Sequence, residues 1–322
     1  MPIRELDPED AVNRDVEQEE FTNLLQFIPG EDARLLIIRD DKPDSGKTTL
    51  LRRLHYNCAR KKPSKPVCLI PLTENDNEKI TSELQLLKKI VNALSKPDFD
   101  TFAPLKFPTF EASENSRVKH IFAEFRPPAA THSGTVQAEG AQLGPNSVVG
   151  GIVMTNPYQV TVNAAGGWGP EQEDLARQES VKAFFTDLKV IADQEPVVIL
   201  IDSFDERSEE DVRNWILNNL VQFCFDLAYR PQQFVLVLAG RGRELPNFSQ
   251  NPTFQHLVKS RDSLRDWTKD HVRAILKVHR YDELTDEVFD LIWTQVQSGE
   301  PIGRVLKLVD LYKHWKSGKY AA

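Results

Sequence analysis

Residues Arg34 to Leu54 read RLLIIRDDKPDSGKTTLLRRL. An apolar, partly β-branched run (Leu35 to Ile38) passes through a polar loop into Ser45-Gly46-Lys47-Thr48-Thr49 and then into an amphipathic helix. This is the strand, loop and helix order of a phosphate-binding loop. The residue types fit that chemistry. Gly46 has no side chain, so backbone N–H groups can close on phosphate oxygens at a helix N-terminus, where the dipole favours negative charge. Lys47 can reach the β- and γ-phosphates, and the Thr48 hydroxyl can serve as a ligand to Mg²⁺. One position departs from the pattern G-x-x-x-x-G-K-T: Asp41, preceded by Asp40, stands where the first glycine belongs. Aspartate tolerates a left-handed backbone better than most residues, but its charge repels a triphosphate, so reduced nucleotide affinity is expected.

A second stretch, PVVILIDSFDE over residues 196–206, carries five consecutive apolar residues, Val197 to Ile201. Such a run predicts a strand buried on both faces, as in a parallel sheet. Asp202 at its end is positioned to hold Mg²⁺ directly or through water. Asp205 and Glu206 follow in the next turn, where one of them can orient or deprotonate an attacking water. A third strand, Phe234 to Leu238, ends in Ala239-Gly240-Arg241-Gly242-Arg243. Arg241 at its tip is either a γ-phosphate sensor or a surface arginine in a glycine turn; Arg243 reads as a surface residue.

Between these motifs, residues 66–72 read as a strand and Glu78 to Leu94 as an amphipathic helix. Residues 97–115, with phenylalanines among prolines, read as irregular. From Gly140 to Pro170 there is no charged residue, and glycine recurs seven times. Within that segment SVVGGIVM and YQVTVN flank Thr155-Asn156-Pro157, a pattern of two strands about a turn. It forms part of an insertion at about 130–170, read either as a linker or as an exposed hairpin whose edge pairs with another subunit or a partner. The C-terminal part predicts short helices. Thr268 caps one, Thr285-Asp286 opens another, and Pro301 sits in the first turn of a third. In that third helix Val305, Leu308, Val309 and Tyr312, extended by Trp315, make an apolar face.

The net charge of −8 and pI near 5.5 argue against general nucleic-acid affinity. The basic cluster Arg60, Lys61, Lys62 and Lys65 reads first as a solvated helix end. Three cysteines fit no metal spacing and no disulfide framework, which points to a reducing compartment. No apolar run approaches the roughly 20 residues that span a bilayer, and no signal-peptide core is visible, so a soluble, cytoplasmic protein without membrane contact is expected. No Ser/His/Asp or Cys/His constellation and no long internal repeat stands out.

Taken in order along the chain, these motifs resemble the signal-transduction NTPases of the STAND class, which includes the NACHT and apoptotic-type ATPases among the AAA+ relatives. Asn13-Arg14 before an acidic helix is similar to that family's N-terminal entry motif, whose segment lies near the adenine. Gly46, Lys47 and Thr48, with Ser45 and Thr49 beside them, match its Walker A motif, which Asp41 breaks. Asp202, Asp205 and Glu206 match its acidic strand end, and Arg241 its sensor arginine. Gly299-Glu300-Pro301 matches the G-x-P of its small helical domain, whose proline packs on the nucleotide. Arg304 stands where AAA+ relatives carry a second sensor arginine.

The fold expected is therefore an α/β P-loop domain with a parallel sheet flanked by helices (residues 1–265), followed by a helical lid (266–322). The resemblance implies an ATP/ADP-binding, Mg²⁺-dependent switch with slow hydrolysis that controls assembly, either as a homo-oligomer or with a separate effector or sensor protein. A bacterial defence or signalling role follows by family analogy alone. The alternatives are a degenerate nucleotide-binding scaffold without significant hydrolysis and a conventional AAA+ motor ring.

Overall fold

A computed structural model describes residues 14–26, 34–42, 45–60, 62–73, 79–97, 102–123, 148–149, 152–156, 159–162, 170–205, 207–225, 231–241, 245, 258–264, 266–278, 281, 284–300 and 302–316. The chain divides into two compact units, residues 1–106 with 188–322 and residues 107–187.

The larger unit is built on a five-stranded, all-parallel sheet in the order β2-β6-β7-β1-β8. Its strands are β1 (Leu35–Arg39), β2 (Val67–Pro71), β6 (Val197–Phe204), β7 (Phe234–Gly240) and β8 (Val258–Arg261). The short strands β3 (Val148–Val149), β4 (Ile152–Asn156) and β5 (Gln159–Val162) belong to the other unit. β1 and β7 are buried at every residue, and β6 at all but Ser203. Continuous apolar sequence therefore encodes strands covered on both faces, as parallel pairing requires. The register sets Leu35 beside Leu236 and Ile201 beside Leu238. β8, whose middle residues are exposed, forms one edge and had no clear apolar signal in the sequence.

Two helices pack on the sheet through one shared core. Helix α1 (Asp15–Leu24) contributes Phe21 and Leu24, and α2 (Lys47–Arg60) contributes Leu50, Leu51, Leu54 and Cys58; all meet Leu36, Ile38, Val198, Leu200, Val235 and Val237. The α2 positions follow helical spacing, and each buried leucine contributes roughly 1.5–3 kcal/mol of transfer free energy. Helix α3 (Glu83–Ser95) begins five residues later than the amphipathic pattern suggests. Ser82 sets the start by accepting the Gln85 N–H at 3.4 Å, while Gln85 returns a bond to Thr81.

The smaller unit corrects one expectation. Residues 97–115 are not irregular throughout, because α4 (Pro108–Ala123) begins within them. Pro108 occupies the first helical position, where its missing N–H costs nothing. The Asp187 carboxylate accepts the Phe110 N–H at 2.9 Å in place of a local cap. Phe107 stacks on Phe184 of α5 (Pro170–Ala192) with centroids 5.9 Å apart, and Phe110 meets the same ring edge-on at 6.0 Å. The uncharged segment carries a three-stranded antiparallel sheet, β3 (Val148–Val149), β4 (Ile152–Asn156) and β5 (Gln159–Val162), with β4 and β5 paired from Ile152↔Val162 to Asn156↔Gln159.

Helix α6 (Glu210–Trp215) lies between β6 and β7 in sequence and continues through a π-helical turn, Ile216–Val221, into α7 (Gln222–Phe225). Helices α8 (Lys269–Val278), α9 (Asp286–Gln297) and α10 (Ile302–Lys316) close the chain around their own apolar cluster. Thr268 caps α8 by accepting the His271 N–H at 3.2 Å. The buried face of α10 is Ile302, Val305, Leu306 and Val309, so the expected stripe is rotated: Leu308 is 52 % exposed. The reason is that i, i+3, i+4, i+7 spacing from Ile302 places Leu308 outside the stripe; the Tyr312 and Trp315 side chains lie outside the described residues.

Among the described residues no helix is long and apolar enough to cross a membrane. All three cysteines are free and buried, and burial pushes the Cys58 thiol up to about 12, so none is poised as a nucleophile.

Candidate functional site

The carboxyl ends of β1, β6 and β7 meet at one edge of the sheet, where open parallel sheets place their ligands. β1 runs into Asp40, whose N–H bonds the Gly240 carbonyl at 3.2 Å, tying the loop to the end of β7. The loop then turns at Gly46, with φ +95°, a conformation that strains any side chain. A Cβ there would also lie 3.3 Å from the Arg14 guanidinium. The left-handed backbone selects glycine before any ligand is considered.

Arg14, one residue before α1, is 3 % exposed. Its Nη2 donates to the Ser45 carbonyl at 2.7 Å, and its guanidinium carbon lies 5.2 Å from the centroid of the Trp267 ring. Burial pushes its pKa down, while Glu17 and Asp40 hold it up. Lys47 begins α2. Its ammonium donates to the Asp40 carbonyl at 2.6 Å, the Lys42 carbonyl at 3.2 Å and Ser45 Oγ at 3.2 Å. Burial lowers its pKa, Asp40, Asp202 and Asp205 raise it, and Arg241 lowers it further. Asp202 in β6, Asp205 just past it and Arg241 just past β7 thus act on the loop lysine.

Asp202 is buried at the end of β6 and accepts the Ser203 N–H at 2.8 Å, and the Thr48 side chain favours its charged form. Burial raises its pKa; these two groups and the charges of Lys47 and Arg52 oppose the rise. The strand is irregular here. Register with β7 shifts between Ile201 and Phe204, and Ser203 takes a left-handed φ of 61°. Such bulges re-aim side chains near sites. Asp205 is buried in a different setting. Arg207 approaches it with three side-chain contacts, Nε at 3.3 and 3.2 Å and Nη2 at 2.9 Å, and adds its N–H at 3.0 Å. Burial pushes this carboxyl up, but the bonds from Arg207 outweigh it and hold the pKa below the ordinary range. Arg241 donates its N–H to the Phe204 carbonyl at 3.3 Å, and its charge also stabilises the Asp205 carboxylate.

The expected residues Arg14, Ser45, Gly46, Lys47, Thr48, Asp202, Asp205 and Arg241 share this edge, with Thr49 following in the first turn of α2. Asn13, Glu206 and Pro301 lie outside the described residues. Arg304 is exposed and pairs with Glu300 at 3.1 Å. Gly299 has a structural role of its own. At φ +92° it ends α9, its N–H bonding the Val296 carbonyl at 3.0 Å while the Glu300 N–H bonds the Gln295 carbonyl at 3.2 Å.

Sequence reasoning passed over Asp40. Its buried carboxylate accepts the Lys42 N–H at 2.9 Å and the Leu264 N–H at 3.3 Å, so it organises the loop from within. The doubled aspartate is its sequence signal, with Asp40 buried and Asp41 exposed. Trp267 and Trp293 were passed over as well. With Arg14, Asp40, Ser45 and Glu300 they line a cavity of about 330 Å³ beside the loop. No family model matches this chain, and no curated protein matches it.

Proposed function

We propose that this edge binds Mg-ATP and that the chain is a nucleotide-dependent switch of the STAND type. The observation that carries the reading is the left-handed turn at Gly46 (φ +95°), which leads into α2 with the Lys47 ammonium held on the Asp40 and Lys42 carbonyls, at the same strand ends as the buried Asp202. A hydroxyl and a carboxylate are hard oxygen donors suited to Mg²⁺. Among the described residues no group of three or more His, Cys, Asp or Glu could hold a metal. The ion would arrive with the phosphates and share Thr48 and Asp202 with them, neutralising phosphate charge.

The chain's own residues would do the rest. Backbone N–H groups around Gly46 receive phosphate oxygens at the start of α2. Lys47 exchanges its loop carbonyls for phosphate, and Arg241 responds to the terminal phosphate. Helices α8 to α10 would serve as the lid, with ATP or ADP setting its angle and so the exposed assembly surface. Glu206 is the proposed base for slow hydrolysis. A second reading, a nucleotide-binding scaffold without turnover, draws on one observation: Asp205 is already clamped by Arg207 and is poorly placed to substitute as base.

Assembly, with further copies or with an effector chain, is assigned to the uncharged segment 140–170. Replacing it with a Gly/Ser linker should leave Mg-ATP affinity intact and abolish any nucleotide-dependent oligomer; an unchanged assembly state in light scattering would return it to a linker. The binding reading itself is tested by titrating Lys47→Ala with Mg-ATP in a calorimeter. Loss of charged hydrogen bonds should weaken binding more than about tenfold. Equal affinity in parent and variant would overturn the phosphate-loop assignment.

A further inference from the structure

We infer that the indoles of Trp267 and Trp293 form the wall on which the base of a nucleotide lies, so that the site selects nucleoside triphosphates over bare polyphosphate chains. This deepens the reading above and rests on it. Both rings line the cavity whose other walls include Asp40, Lys42 and Ser45 of the phosphate loop. A molecule resting on the indoles therefore reaches Ser45, the residue before Gly46. At about 330 Å³ the cavity falls in the range that accepts small organic ligands.

The wall is built to stay in place. Both indoles are half-buried and pack on the apolar cluster of α8 to α10, together with Val296. Trp267 is held a second time by the Arg14 guanidinium, 5.2 Å from its centroid, and a third time by His271, edge-on at 6.5 Å. A ring fixed on several sides loses little freedom when a flat partner stacks on it. Aliphatic residues would close the helical cluster equally well. Two indoles facing one cavity supply aromatic surface, which a base can stack on and an inorganic phosphate chain cannot use. Arg14 then has a place in recognition without being required to touch the base: it joins Ser45, in the phosphate loop, to Trp267, in the wall.

The experiment titrates the full chain with Mg-ATP and with Mg-tripolyphosphate, which carries the phosphates without a base. The parent should bind ATP at least about tenfold more tightly, as expected for one stacked base. Trp267→Ala and Trp293→Ala should each weaken ATP several-fold to tenfold while leaving tripolyphosphate within about twofold of the parent, and Trp267→Phe should recover most of the loss. If the parent binds the two probes equally, the base wall is wrong and the phosphate site stands. If the alanine variants weaken both probes alike, the indoles serve packing only and the inference fails. If the parent binds neither, the phosphate-loop reading has failed and this inference with it. Should Trp267→Ala not fold, Trp293→Ala and Trp267→Phe decide the question through the same ratio of affinities.

Discussion

The Nη2 of Arg14 donates to the carbonyl of Ser45 at 2.7 Å, across 31 residues of sequence and in a buried setting. A buried guanidinium is costly unless its donors are used. Here it is used against a loop carbonyl and an indole face. The first helix, the loop before α2 and the segment that opens α8 thus share one cation, and the loop's path depends on a residue far from it in sequence.

Arg14→Met should therefore lower stability by roughly 2 kcal/mol, the size expected for a buried hydrogen bond with a charged donor. Arg14→Lys should resemble Met more than the parent, because an ammonium lacks the planar fork that meets a carbonyl and a ring together. Chemical denaturation of the three proteins measures this. A lysine variant as stable as the parent would show that charge alone suffices.

Asp40 and Asp41 should respond oppositely. Asp40→Ala removes the acceptor of the Lys42 and Leu264 N–H groups, so a loss of about 1–3 kcal/mol is expected together with weaker Mg-ATP binding. Asp41 is exposed. Asp41→Gly removes a carboxylate near the phosphates and restores the glycine of the loop pattern. Repulsion of the order of a kcal/mol across a partly solvated loop makes the expected gain in Mg-ATP affinity several-fold. Calorimetry on both variants is decisive, and a weaker Asp41→Gly complex would mean that the loop uses Asp41 in its own path.

How far the sequence could be read follows from where each signal is local. β1, β6 and β7 were legible because full burial in a parallel sheet demands unbroken apolar runs. The turn before α2 was legible because Gly46 there takes a left-handed backbone, φ +95°, that glycine alone adopts freely. The start of α4 was not, because Pro108 reads as a breaker until Asp187 is seen to cap the Phe110 N–H from 77 residues away. β8 was missed because an edge strand with two exposed residues carries no periodic signal. Asp40 and Trp267 were missed for a related reason: their roles come from tertiary partners, Leu264 for one and Arg14 for the other.

The Asp205–Arg207 pair gives a pH dependence with a definite sign. The folded pKa of Asp205 lies below its unfolded value, near 3.9 for an ordinary aspartate. The pair's contribution is therefore fully present above that value and is lost as pH falls through the lower, folded one. Arg207→Gln should be less stable than the parent at pH 5–7, by a modest amount because Arg207 is largely exposed. The gap should close below about pH 4. Denaturation midpoints of the two proteins across this range test it, and a gap that widens in acid would remove Arg207 as the cause.

The last prediction concerns the bulge that aims Asp202. Ser203 occupies a left-handed conformation at φ 61°, and its N–H is the donor that fixes Asp202 Oδ1. A side chain there costs about 1–2 kcal/mol, part of which glycine would return to the unfolded chain as entropy. Ser203→Gly should therefore be neutral or more stable by up to about 1 kcal/mol, whereas Ser203→Val, branched at Cβ, should be clearly destabilised. The partner strand is less forgiving. A Cβ on Gly240 would fall onto the carbonyl of Phe204, a backbone group that cannot move without breaking the pairing at the end of β6. Gly240→Ala should cost more than about 3 kcal/mol and displace Asp202 and Arg241 together, since each lies within two residues of that contact. Equal stability of Gly240→Ala and the parent in thermal denaturation would show that the strand ends are free to part, and with them the geometry assigned to the site.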